Sequence, residues 1–124
     1  MTTMRNAINF FEIPAINHER AVKFYEELLG QKLLRDEIQG VRMAFFRSNE
    51  RTVGGAICTG KGYRPTTNGT VFYLNGGNDL NVFLGKVKSL GGKPVDSPMH
   101  MAEIGSFAYF LDTEGNKLGV RSKK

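Results

Sequence analysis

Slid along itself by 61 residues, the chain meets its own pattern. Phe11 and Ile13 fall on Phe72 and Leu74, Leu29–Gly30 on Leu90–Gly91, and Ile57 on Leu118. Identity is thin, but residue class agrees at every landmark. A half of roughly 60 residues buries too little surface to be comfortable alone, so the two halves must share a core. The 124 residues are therefore read as one domain, 1–124, of two modules. These span about 5–60 and about 70–122, with a linker at about 61–69.

Each half reads alike. A short apolar strand (8–13, then 70–75) leads into a turn where Asn17 or Asn78 can cap a helix. Ala21, Val22, Tyr25, Leu28 and Leu29 recur at helical spacing, as do Leu80, Phe83, Leu84, Val87 and Leu90. Gly30 and Gly91 supply the left-handed stops. Three further strands follow in each half, at 32–38, 41–47 and 53–58, then at 93–96, 106–111 and 117–121. "DTEGN" (112–116) reads as a hairpin turn with its glycine and asparagine at positive φ. "TGKGYRPTTNG" (59–69), rich in Gly, Pro and Thr, carries the linker. The fold class is α+β.

The formal charge of +5 raises the question of a nucleic-acid partner. Its basic residues are interleaved with acids, as in "HERAVKFYEELLG", and no nucleic-acid motif is present, so none is expected. Apolar runs are only a few residues long and the N-terminus has no signal-like stretch, so no membrane partner is expected either. The single cysteine, Cys58, forms no internal disulfide and fits a reducing compartment; the cytoplasm is the expected location. Cys58 reads as a small buried hydrophobe without a histidine partner.

"NFFEIPA" (9–15) holds the main candidate. A period of two packs Phe11 and Ile13 under the helix and turns Phe10 and Glu12 to the other face. Tyr73 is the repeat partner of Glu12, and Val71 and Asn75 share its face. Glu12 is expected to be substantially buried and to meet Tyr73, Asn75 or Arg121, because an unpaired buried carboxylate is costly. The plainer alternative is an ion pair with Arg42 or Arg121 that only joins strands. His18, beside the cap, is expected to be solvated. His100 and Glu103 in "SPMHMAEIG" are two metal donors without a third, in a loop whose Met99 and Met101 would suit an adaptable lid. "GGNDLNV" (76–82) has no phosphate-loop or dinucleotide pattern and reads as a turn.

The repeated β-α-β-β-β unit, with "FEIPAINHERAVKFYEELLG" and "FAYFLDTEGNKLGV", resembles the vicinal oxygen chelate superfamily. That group contains glyoxalase I, extradiol dioxygenases, fosfomycin resistance enzymes and bleomycin-binding proteins. The resemblance covers nearly the whole chain and implies two tandem modules whose curved mixed sheets form a cleft. It also implies metal ligands on the first and last strands of each module, positions held here by Phe10, Val71, Cys58 and Gly119. Three of these side chains cannot ligate, so no metal and no cofactor is expected.

The bleomycin-binding branch implies a different task, sequestering or sensing a small organic ligand without a metal. The ligand-binding set is then Phe10, Glu12, Cys58, Val71, Tyr73, Asn75, Met101, Gly119 and Arg121, in a homodimer. Two alternatives stay open: a metal-independent lyase or isomerase using Glu12 as acid or base, and a scaffold dimer without a ligand.

Overall fold

A computed structural model describes residues 6–122. In chain order its elements are β1 (Phe10–Pro14), α1 (His18–Leu29), β2 (Leu34–Ile38), β3 (Val41–Phe45) and β4 (Gly54–Thr59). The second half holds β5 (Tyr73–Asn75), α2 (Leu80–Ser89), β6 (Lys93–Pro94), β7 (Met99–Met101), β8 (Gly105–Leu111) and β9 (Lys117–Arg121). Asn17 caps α1, its side-chain oxygen accepting from the Arg20 N–H, and Gly30 ends the helix at φ 68°. Asp79, not Asn78, caps α2, accepting from the Asn81 and Val82 N–H groups. A carboxylate there also meets the positive end of the helix dipole. Among the described residues no helix is long and apolar enough to cross a membrane.

The strands form two mixed sheets, ordered β1-β4-β3-β2 and β5-β9-β8-β6. The first pair of each, β1 with β4 and β5 with β9, is parallel, and the rest are antiparallel. The expected strand at 93–96 is only two residues long, and part of the expected 97–105 loop is strand β7, hairpinned onto β8. The repeat also drifts. Ile13 pairs with Ile57, whereas its counterpart Leu74 pairs with Val120, so Ile57 corresponds to Val120 and not to Leu118. Hairpins of unequal length lie between the strands and shift the offset.

One face of each sheet and the apolar sides of both helices form one core. Ile13, Ala44 and Ile57 meet Ala21, Val22, Tyr25 and Leu28, and Leu74, Ala108, Phe110 and Val120 meet Leu80, Phe83 and Val87. The modules are clamped by the 112–116 hairpin. Buried Asp112 accepts from the Tyr25 hydroxyl at 2.6 Å and from the Glu114 and Asn116 N–H groups. Glu114, its side chain fully buried, accepts from the Ile16 and Asn17 N–H groups at 2.9 and 2.7 Å and from Arg20 Nε at 2.7 Å. Asn116 donates to the Pro14 carbonyl at 2.7 Å. Only Gly115 of this turn takes positive φ; Asn116 is a buried hydrogen-bonding residue instead. Burial alone would push the Glu114 pKa up, but Arg20 and the N–H donors outweigh it and hold the carboxyl below its usual range.

Candidate functional site

The second face of each sheet turns away from the helices. In the first sheet the pairing register puts Phe10 and Glu12 on that face with Ala56 and Cys58, then Met43 and Phe45, then Leu34, Asp36 and Ile38. In the second it gathers Tyr73 and Asn75, Gly119 and Arg121, Phe107 and Tyr109, Met99 and Met101, and Lys93 and Lys117. Much of this is apolar surface left open: Phe10 is 45% exposed, Leu34 72% and Met101 47%. Among the described residues no ring contact or hydrogen bond joins one open face to the other.

Glu12 lies on the face that its strand parity requires, but it is exposed, contrary to the expected burial. None of Tyr73, Asn75, Arg121 or Arg42 is its partner. The linker reaches back, and the Tyr63 hydroxyl donates to both Glu12 oxygens at 3.1 Å. Partial desolvation and this hydrogen bond push the Tyr63 pKa up to about 12, so near neutral pH the phenol stays a donor. Beside them Cys58 is fully buried, and burial, followed by the Glu12 charge, pushes its thiol up to about 12. A thiol this weakly acidic is no nucleophile at neutral pH. The cluster is a carboxylate acceptor held by one phenol over an apolar floor.

On the second face the Tyr73 and Tyr109 hydroxyls share a hydrogen bond at 2.6 Å, and Phe107 packs against both rings. That hydrogen bond is the main reason that the Tyr73 pKa rises to about 12. Lys117 Nζ stands 4.6 Å from the Tyr109 ring centroid. Gly119 has a use unrelated to ligation: a Cβ there would come within 2.4 Å of the Tyr73 ring, so glycine lets that ring lie flat. Arg121 donates to the Ile104 carbonyl at 2.9 Å, and Asn75 accepts from the Gly77 N–H. Val71 precedes β5 and is half-buried. The structure thus gathers Tyr73, Asn75, Met101, Gly119 and Arg121 on one face and Phe10, Glu12 and Cys58 on the other.

Two further expectations change. His18 is buried, 3% exposed, with Nδ1 2.7 Å from the Thr59 hydroxyl. His100 is on a strand with Nδ1 3.4 Å from Ser106 Oγ, and its neighbours Met99 and Met101 belong to the sheet rather than to a free loop. Tyr63, Tyr109 and Lys117 were missed. The alternation in "FAYFL" could have placed Tyr109, whereas no periodicity runs through the linker to reveal Tyr63.

Residues 7–120 match the profile of the glyoxalase/bleomycin resistance protein/dioxygenase superfamily. The chain belongs to this superfamily. A glyoxylase-like domain-containing protein of Didymella fabae is 29% identical over 117 residues, covering 91% of each chain. Among solved structures, a glyoxalase/bleomycin resistance protein from Albidiferax ferrireducens T118 matches with TM-score 0.75 and 19% identity, over 96% of this chain and all of that one. TnmS3, an antibiotic binding protein from Streptomyces sp. CB03234, matches with TM-score 0.67 and 18% identity, over 99% of this chain and 100% of its own. Identities this low establish the fold alone. The metal that the superfamily implies does not fit these residues. The drifted register makes Ala56, not Cys58, the counterpart of Gly119, and Cys58 that of Arg121. Equivalent last-strand positions thus offer a methyl and a hydrogen, or one thiol and a guanidinium, and neither pair is a metal-binding one. Phe10 and Val71 add no donor, and among the described residues no three His, Cys, Asp or Glu side chains cluster to hold a metal.

Proposed function

We propose that this superfamily member holds a small organic molecule between the open faces of two copies of the chain, without a metal, and so sequesters or senses it. The carrying observation is the pair of open sheet faces, the first largely apolar with few polar handles, as small-molecule sites usually are, and the second an aromatic and methionine patch bordered by cations. Glu12–Tyr63 serves one face and Tyr73–Tyr109 the other. Charge favours pairing unlike faces across a two-fold axis. The first face carries Glu12 and Asp36, while the second carries Lys93, Lys117 and Arg121. TnmS3, described as an antibiotic binding protein, lends the reading an analogy.

A melting-temperature screen against a library of small organic compounds tests it. A ligand at 100 times its Kd should add about 2.7 kcal/mol of stability. The rise should shrink for Glu12→Gln, which keeps the side chain's shape and removes its charge. A library without hits, or hits indifferent to substitutions on both open faces, would contradict the reading. A lyase or isomerase would need the same carboxylate, and turnover abolished by Glu12→Gln would favour it over binding alone.

A further inference from the structure

The two modules meet along their edge strands β1 and β5, where the Phe11 and Phe72 rings stand 4.8 Å apart. The repeat creates two hollows there, one on either side of this ring pair, and they are not alike. On one side Glu12, Ile13 and Pro14 face Asn116 and Thr66 across only about 200 Å³. The 112–116 hairpin closes that side, lodging the Glu114 carboxylate against the Ile16 and Asn17 N–H groups and Arg20. On the other side Tyr73, Leu74 and Asn75 stand in the places of Glu12, Ile13 and Pro14, and the turn at 48–53 stands in the place of the clamp. Its hydrogen bonds, Asn49 with Arg51 and Thr52, stay within the turn. A groove of about 700 Å³ results.

We propose that this groove binds a small planar aromatic carboxylate. Its floor is Phe11, Phe46, Phe72 and Leu29, wide enough for a fused ring system. Apart from the Tyr73 hydroxyl, which is bonded to Tyr109, its side-chain polar groups are donors without partners. The Gln31 side-chain oxygen accepts from the Arg47 N–H at 2.9 Å, and that of Asn75 accepts from the Gly77 N–H at 3.0 Å, so each leaves an NH2 group unused. The Arg47 guanidinium has no hydrogen bond or ion pair among the described residues, and no carboxylate lines the groove. Unpartnered donors around an apolar floor call for an apolar ligand with an anionic acceptor, and guanidinium–carboxylate geometry is the strong form of that contact. The protein supplies its own carboxylate on the closed side; a ligand would bring one to the open side.

Methyl-resolved NMR of the whole chain with 2-naphthoate, and with neutral 2-naphthamide of the same shape, decides the matter. Naphthoate is expected to shift the methyl signals of Ile8, Leu29 and Val53 and to bind at least tenfold tighter than the amide. Arg47→Gln, at an exposed position, should remove that preference, and Val53→Phe should weaken both ligands by filling the groove. Equal binding of acid and amide, an Arg47→Gln protein that still prefers the acid, or no shift at these methyls would overturn the proposal. Shifts confined to Met43 and Ile38 would place the probe on the open sheet face, which supports the preceding reading and refutes this one.

Discussion

His18 Nδ1 meets the Thr59 hydroxyl at 2.7 Å, and burial, then Arg42, holds the ring's pKa below its usual 6.5. The unfolded chain therefore takes up this proton first, and stability is lost as pH falls through about 6.5 toward the folded value. The melting temperature should drop between about pH 7.5 and pH 5.5, and His18→Gln should flatten that slope while lowering stability at the upper end. Equal slopes in the two proteins would show that the imidazole is indifferent to folding. Glu114 acts in a lower window. Its depressed pKa adds stability above the ordinary carboxylate range, and that stability disappears on further acidification. Strand parity made the face of Glu12 legible in the sequence. Its exposure was not legible, because that depends on what covers the sheet, and its partner Tyr63 comes from a linker without periodicity.

The two β-hairpins that end each module show how similar elements come to differ. In the 112–116 turn, Asp112, Glu114 and Asn116 all reach into the other module, while Glu50 and its neighbours face solvent. Glu114→Ala should cost about 2–4 kcal/mol, chiefly by orphaning the Ile16 and Asn17 N–H groups, because half-exposed Arg20 returns its charge to water. Glu50→Ala should stay within about 0.5 kcal/mol. Denaturant unfolding of the two variants measures both, and equal losses would remove the clamp from the account. The element order apart from β7, both helices and the α1 cap could be read from apolar spacing and turn chemistry. The drift in the repeat could not, since unequal loops move a strand's partner without altering its own pattern. "DTEGN" read as a turn because its composition is that of a turn; its buried side chains appear only once α1 lies against it.

Across the whole molecule, the absence of a donor set on the first and last strands and the open faces of both sheets point the same way. Elemental analysis of the purified chain should find no stoichiometric divalent metal, and a chelator should leave its melting temperature unchanged; one tightly held zinc, iron or manganese per chain would contradict this. The open faces, with their acidic and basic edges, are the larger commitment. Sedimentation equilibrium at micromolar concentration measures it most directly. Pairing of unlike faces requires about twice the 13.8 kDa chain mass. It also requires dissociation when Met43, half-buried on the first open face, is replaced by aspartate. A single-chain mass for the unaltered protein, or a dimer that Met43→Asp leaves intact, would contradict the account.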